Sequence, residues 1–370
     1  MNAPLIVHVV HRFDYGGLEN GLVNLINRMS AACGRHVVIA LTEATEIQNR
    51  IERPDVAVHA LHKRPGKDFA SYVRLYRLLR ALKPDIVHTR NFGTLDCQVV
   101  AWLARVPRRF HGEHGWDVHD PDGRVVKYRV IRRLLSPLID RFVALSGELQ
   151  DWLVQVVGIP ERKVVRICNG VDVTRFMRPS DGERDDRFVV GSVTRFSEIK
   201  DPLNTVAAFV ESARARPGAL RLLMIGDGPL KDRAAGMLTS AGLQNDCCLP
   251  GSVLDVAPYL ASMNVFVLGS LREGISNTVL EAMASGLPVV ATNVGGNAEL
   301  VEHGTTGFLV AAHSSDELAA AILTYADDPA LARRHGAAGR RRVQDLFSVD
   351  AMVAQYVGLY AGASTKRAEA

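Results

Sequence analysis

Aromatic residues make up only 6% of this 370-residue chain, and cysteine is scarcer still. The five cysteines, Cys33, Cys97, Cys168, Cys247 and Cys248, contain no C-x-x-C pair and are odd in number. They suggest neither a disulfide framework nor a structural zinc site, and fit a reducing cytoplasm. No stretch reaches the roughly 18 uninterrupted apolar residues of a spanning helix. The first ten residues lack the basic start and long apolar run of an export signal, so the reading is a cytoplasmic protein. With so few aromatics, and none interleaved with a basic cluster, nucleic acid is a poor candidate partner.

What is present is a core. Apolar residues are 47% of the chain and charged ones 23%, the balance of a packed globular protein. A length two to three times that of a typical domain points to two of them. The net charge of +4 conceals an asymmetry: residues 1–180 hold 27 Lys+Arg against 18 Asp+Glu, and the remainder 17 against 22. A basic first half calls for an anionic neighbour, whether lipid surface or phosphorylated ligand.

Short β-branched runs alternate with amphipathic segments, the pattern of βαβ units winding a parallel sheet. Strands are expected at 5–10, 36–41, 56–61, 85–89, 109–114, 141–146 and 164–168. A second set is expected at 188–193, 220–225, 247–249, 265–268, 288–291 and 307–310. The polar run RPSDGERDDR at 178–187 interrupts the alternation. The expected division is therefore a first domain over 1–178, a linker at 179–187, a second domain over 188–345, and a C-terminal helix and tail over 346–370. Two similar α/β layers in tandem are expected to leave a cleft between them, and open parallel sheets bind ligands beyond the carboxyl ends of their strands.

The densest signal follows the strand at 265–268, where Arg272-Glu273-Gly274-Ile275-Ser276-Asn277-Thr278 leads into Val279-Leu280-Glu281-Ala282-Met283-Ala284. Ser276 is placed to cap a helix that Gly286 and Pro288 end. The free amides of such a helix start suit a phosphate or diphosphate. Glu281, one turn in, can reach a sugar hydroxyl beside that phosphate, and Glu273 can meet the far end of the same ligand. Taken singly, each glutamate is as well explained as a solvated carboxylate.

Taken together, this stretch resembles the E-x7-E signature of retaining glycosyltransferases of the two-Rossmann-domain (GT-B) class, family 4, also described as group 1 glycosyltransferases. The likeness continues through Val289-Val290-Ala291-Thr292-Asn293-Val294-Gly295-Gly296. Arg195 and Lys200 stand at the spacing of the family's G-R-x4-K element, although Thr194 and Asp201 replace the commoner glycines. Gly226-Asp227-Gly228-Pro229 resembles its G-x-G-P turn. The run at 249–253, with Gly251 and Val253, is similar to the element bordering the nucleotide base. Asn169-Gly170-Val171-Asp172 with Phe176 matches a run that closes the first domain, and Gly16-Gly17 is similar to the family's glycine turn. His114 best fits the family's active-site histidine, with His111 as the competing alignment; alternation along a strand lets only one of the two face the cleft.

The resemblance implies an enzyme of the hexosyltransferase type that moves a sugar from a UDP- or GDP-sugar to an acceptor hydroxyl. It further implies that Arg195, Lys200 and the helix start at Ser276 hold the diphosphate, that Glu281 holds the ribose, and that Glu273 and His114 position the sugar. No cofactor is called for, and no D-x-D-like metal clamp stands at the donor site. The run H-x-x-H-R-F-D-Y-G-G-L-E-N at 8–20 is similar to sugar transferases associated with bacterial exopolysaccharide and PEP-CTERM sorting loci. That would make the acceptor a polyprenyl-diphosphate-linked glycan at the inner membrane. A nucleotide-sugar epimerase of the same fold and a non-catalytic nucleotide-sugar-binding protein are the rival readings; the oligomeric state is open.

One segment stands outside the resemblance. Residues 124–138 set Val126, Val130, Ile131, Leu134 and Leu138 to one side, with Arg124, Lys127, Arg132 and Arg133 around them. Such a helix can rest peripherally on anionic lipid at the cytoplasmic face of the inner membrane, or it can turn its apolar side into the core.

Overall fold

All thirteen expected strands are present in the computed structural model, with ends displaced by at most two residues. The structure describes residues 3–66, 68–116, 120, 122–177 and 186–362. Most of the expected linker, and the polar tail beyond 362, therefore lie outside the described residues.

The chain forms two units: Met1–Gly170 together with Val349–Ala370, and Val171–Ser348. This division falls ahead of the expected linker, and local bonding gives the reason. Val171 donates its amide to the Phe347 carbonyl at 2.9 Å. Arg340 then ties down the carbonyls of Val173 and Phe176 at 3.1 and 3.2 Å. The Asn169-Gly170-Val171-Asp172 run thus spans the division.

The first unit winds β1 (Leu5–Val10), β2 (Arg35–Ala40), β3 (Ala57–Ala60), β4 (Ile86–Arg90), β5 (Arg108–Glu113), β6 (Arg141–Ala144) and β7 (Val164–Arg166) into one sheet, ordered 3-2-1-4-5-6-7. Every pairing is parallel. β1 reads LIVHVV and is buried along nearly its whole length, as a strand covered on both faces must be. The C-terminal helix Val349–Gly362 belongs to this unit, as expected for a helix returning to the first domain. It buries Met352, Tyr356 and Tyr360 at four-residue spacing against Ile6, Ile86 and Phe110.

The second unit orders β8 (Phe188–Val193), β9 (Leu220–Ile225), β10 (Cys247–Gly251), β11 (Val265–Leu268), β12 (Val289–Thr292) and β13 (Gly307–Val310) as 10-9-8-11-12-13, again all parallel. Strand order reverses between β8 and β11, which places a crevice at their carboxyl ends. Among the described residues no helix is long and apolar enough to cross a membrane.

The basic helix, Val126–Leu135, does not turn its apolar side inward. Its buried residue is Arg132, whose Nε and Nη2 donate to Glu113 Oε1 and Oε2 at 2.6 and 3.2 Å. The same guanidinium lies over the Phe92 and Trp152 rings, 4.6 and 5.0 Å from their centroids. Glu113 ends a central strand and is 2% exposed. A carboxylate buried there needs a cation, and that demand, rather than the burial of two valines and a leucine, sets the roll of the helix.

Burial raises the Glu113 carboxyl, but Arg132 and the His111 hydrogen bond outweigh it and hold the group down at about 2. A carboxylate depressed from its ordinary 4.5 stabilises the fold above that value, and the contribution drains away as pH falls from 4.5 toward about 2. Arg132→Ala should cost about 3–5 kcal/mol, because Glu113 is left buried and uncompensated. Urea unfolding at neutral pH measures this, and a loss below 1 kcal/mol (on the order of a surface pair) would show that the pair holds nothing in place.

Candidate functional site

The loops leaving β8 and β11 flank the crevice of the second unit and hold most of the residues marked out in the sequence. They are laced together by backbone. Leu271 donates its amide to the Ile199 carbonyl at 2.9 Å, Phe196 to Asp227 at 2.9 Å, and Gly226 to Gly251 at 2.9 Å. The Gly226-Asp227-Gly228 turn fits only because it carries no Cβ at its two ends. A Cβ at Gly226 would stand 1.8 Å from the Thr194 carbonyl oxygen, and one at Gly228 2.5 Å from that of Phe196. Asp227 is held below the usual carboxylate range by the Gly228 amide and by Lys231. Gly251 closes the next strand with φ +86°, and Val253 behind it is half-buried.

Lys200 and Glu273 meet directly. Lys200 Nζ lies 2.6 Å from Glu273 Oε1, and Ser270 Oγ donates to the same oxygen at 2.7 Å. Glu273 is 7% exposed and Ser270 fully buried, so the carboxylate is fixed while Lys200 keeps an open side. Arg195 is exposed, and its guanidinium makes no hydrogen bond or ion pair among the described residues.

Beyond Glu273 the chain passes Gly274 and buried Ile275 to Ser276, whose Oγ accepts from the Val279 amide at 3.4 Å and lies 3.2 Å from Thr278 Oγ1. The helix so capped, Asn277–Ala284, buries Val279, Leu280, Ala282, Met283 and Ala284. It turns the positive end of its dipole toward the crevice end of the sheet. Glu281 sits one turn in and is half-buried.

Two supports of this loop carried no assigned role in the sequence. Ser270 is one. The other is the pair Gly295-Gly296: a Cβ on these residues would lie 1.9 Å from the Glu273 carbonyl oxygen and 2.0 Å from that of Gly274. The Gly296 amide donates to the Gly274 carbonyl at 2.8 Å. A glycine pair soon after a strand was the available signal; its partners, 22 residues earlier, were not.

In the first unit His111 and His114 differ in what remains for a ligand. His111 is fully buried, with Nδ1 2.8 Å from Thr89 Oγ1 and Nε2 3.2 Å from Glu113 Oε1. His114 is fixed through its amide, which donates to Asn91 Oδ1 at 2.8 Å, and its ring lies over Gly112. Neither ring nitrogen of His114 has a partner among the described residues. Burial, then the charge of Arg90, lowers it to about 3, so the imidazole is neutral at physiological pH. Asp117, three residues on, lies outside the described residues. Gly16 and Gly17 open the helix Gly17–Arg28 after β1, and a Cβ at Gly16 would stand 2.4 Å from Glu19 Oε2. Glu19 and Arg90 were not anticipated; Arg90 is 3% exposed and bonds the Nδ1 of buried His8 at 3.0 Å.

Two Rossmann-like sheets, with the site loops at the switch point of the second, are the parts of a GT-B fold, and likeness to known proteins makes the chain a glycosyltransferase. Residues 15–175 match the family model described as Glycosyltransferase Family 4, and residues 187–328 the one described as Glycosyl transferases group 1. An Escherichia coli UDP-Gal:alpha-D-GlcNAc-diphosphoundecaprenol alpha-1,3-galactosyltransferase is 30% identical over 280 residues, 72% of each chain. A GDP-mannose-dependent alpha-mannosyltransferase of Mycobacterium tuberculosis is 28% identical over 362 residues, 88% of this chain and 89% of its own. Among solved structures, Anabaena HepE in complex with UDP superposes with a TM-score of 0.83 at 20% identity, covering 96% of this chain and 99% of that one. The chain belongs to glycosyltransferase family 4.

Gly296→Ala forces a methyl against the Gly274 carbonyl and should destabilise the second unit by about 1–3 kcal/mol. Gly236→Ala, on helix Lys231–Ser240 with nothing within 4 Å of the new methyl, should stabilise by up to about 1 kcal/mol. Calorimetric melting of both variants checks the contrast, and equal midpoints would refute it.

Proposed function

We propose that this glycosyltransferase moves a hexosyl group, with retention at the anomeric carbon, from a UDP- or GDP-sugar to a hydroxyl of a lipid-linked glycan used in cell-surface or exopolysaccharide synthesis. The observation that carries the reading is the convergence of exposed Arg195, Lys200 paired to fixed Glu273, and the Ser276-capped helix start at one switch point. Two cations and a helix dipole supply the stabilisation that a departing diphosphate needs as its charge grows. The names of the Escherichia coli and Mycobacterium tuberculosis relatives, one using UDP-Gal on a diphosphoundecaprenol acceptor and one dependent on GDP-mannose, support both nucleotide options and the lipid-linked acceptor.

In this scheme Lys200 shares its charge between Glu273 and the incoming phosphate, while Ser270 keeps the carboxylate in place to accept from the sugar. Gly226, Asp227, Gly228, Gly251 and Val253 border the nucleotide through main chain. Gly274, Ile275, Asn277 and Thr278 present the anion site, and Glu281 accepts from the ribose. The bond from the anomeric carbon to the diphosphate breaks with its electron pair going to the phosphate oxygen. The acceptor oxygen bonds to the same face of that carbon and gives its proton to a donor phosphate oxygen. His114, neutral and with both nitrogens unspent, is suited to hold a sugar hydroxyl without adding charge, and Gly16 and Gly17 give the edge of the first sheet close approach to a ligand.

Arg195→Ala should lower turnover at saturating donor by about a hundredfold or more while the fold survives. Glu281→Ala should weaken affinity for the free nucleoside diphosphate by about 1–3 kcal/mol, whereas His114→Ala should leave that affinity unchanged and lower turnover. Calorimetry with free nucleotide, run beside product analysis for transferred sugar and released nucleotide, separates these roles. Wild-type turnover in Arg195→Ala, or an epimerised donor as the only product, would overturn the reading. Because protein cations neutralise the leaving group, activity should persist in excess EDTA, and a strict divalent-metal requirement would overturn that part.

A further inference from the structure

The outward turn of helix Val126–Leu135 leaves an apolar ridge in solvent. Val126 is 62% exposed, Val130 47% and Leu134 71%. Four-residue spacing aligns them along one side of the helix. The short turn Ser136–Leu138 that follows packs against helix Cys97–Leu103, whose end carries Trp102 and Leu103, 51% and 54% exposed. Single exposed apolar residues are ordinary, but five large ones on adjoining elements are more than scatter and point to an interaction surface.

The charges beside the ridge identify what covers it. Residues 124–135 contain five cations and no carboxylate. Arg132 is consumed by Glu113, while Arg124, Lys127 and Arg133 are exposed. A second copy of this chain meeting the ridge about a twofold axis would set these cations against themselves. An anionic bilayer satisfies both halves at once: the ridge and the indole enter the boundary between headgroups and acyl chains, and the cations meet the phosphates.

We propose that helix Val126–Leu135, extended by Trp102 and Leu103, is a docking surface for anionic membrane. This surface stands independently of the donor and acceptor chemistry, since none of its residues lies in the proposed donor site. It also removes Arg132 from the lipid-facing set, because that side chain is spent inside the fold.

Co-sedimentation of the full chain with vesicles tests it. Binding should be strong to an equal mixture of phosphatidylcholine and phosphatidylglycerol, weak to phosphatidylcholine alone, and relieved by salt. The double variant Lys127→Ser/Arg133→Ser should lose about 25-fold in partition at roughly fivefold per cation, and Leu134→Ser about tenfold. Brominated acyl chains should quench Trp102 fluorescence, with the quenching absent in Trp102→Phe. Thermal midpoints and affinity for free nucleotide, unchanged in every variant, separate this surface from both the fold and the donor site. Equal partition onto both vesicle types, or undiminished binding by the double variant, would overturn the proposal. So would a lipid-free dimer that Leu134→Glu dissolves, since the ridge would then belong to a second copy.

Discussion

One carboxylate oxygen ties together the two loops that flank the crevice of the second unit. Glu273 Oε1 is bonded both by Lys200, from the loop after β8, and by Ser270, at the start of the loop after β11. Those loops leave neighbouring strands on either side of the point where strand order reverses. An ion pair with a buried carboxylate is costly unless its geometry is satisfied, and here the buried Ser270 hydroxyl bonds the same oxygen, while the close passages at Gly295 and Gly296 fix the backbone that carries Glu273. The arrangement also leaves Lys200 partly open while Glu273 stays fixed.

The first unit meets a similar electrostatic problem differently. Its buried cation Arg90 forms no ion pair with a described carboxylate and is bonded instead by His8, which in turn contacts His36 at 2.9 Å. Burial and the nearby positive charge depress the pKa of His8, of His88 and, to about 4, of His36, so the row stays neutral and adds no charge to that of Arg90. Thr89, His111, Glu113 and Arg132 form a second chain, from β4 through β5 to the basic helix. The second network spends His111 on structure, whereas His114 lies outside both networks and has no partner for either ring nitrogen among the described residues.

Much of this was legible in order along the chain. Central parallel strands such as β1, β4, β8 and β11 are buried nearly throughout and read as apolar, largely β-branched runs, while the outer β3, β7 and β10 are marked by their place in the α/β alternation. Ser276, Gly286 and Pro288 delimit a helix by local chemistry alone, and the motif segments around Arg195, Gly226 and Glu273 converge because strand order brings their loops together. Other features depended on residues distant in sequence. Gly295 and Gly296 have meaning only against Glu273 and Gly274, and Ser270 only against a carboxylate that Lys200 also claims.

The sequence by itself determined the α/β alternation, the two-domain plan and the residue types gathered at the second switch point, because backbone hydrogen bonding and strand burial are local or periodic demands. Tertiary structure decided where the units divide, which of two histidines keeps its ring nitrogens, and which side of helix Val126–Leu135 faces the core. Hydrophobic periodicity grouped Val126, Val130 and Leu134 on one side and left open whether that side met the core or lipid. A single buried carboxylate, Glu113, decided it: leaving it unpaired inside the fold costs more than leaving three aliphatic side chains in water.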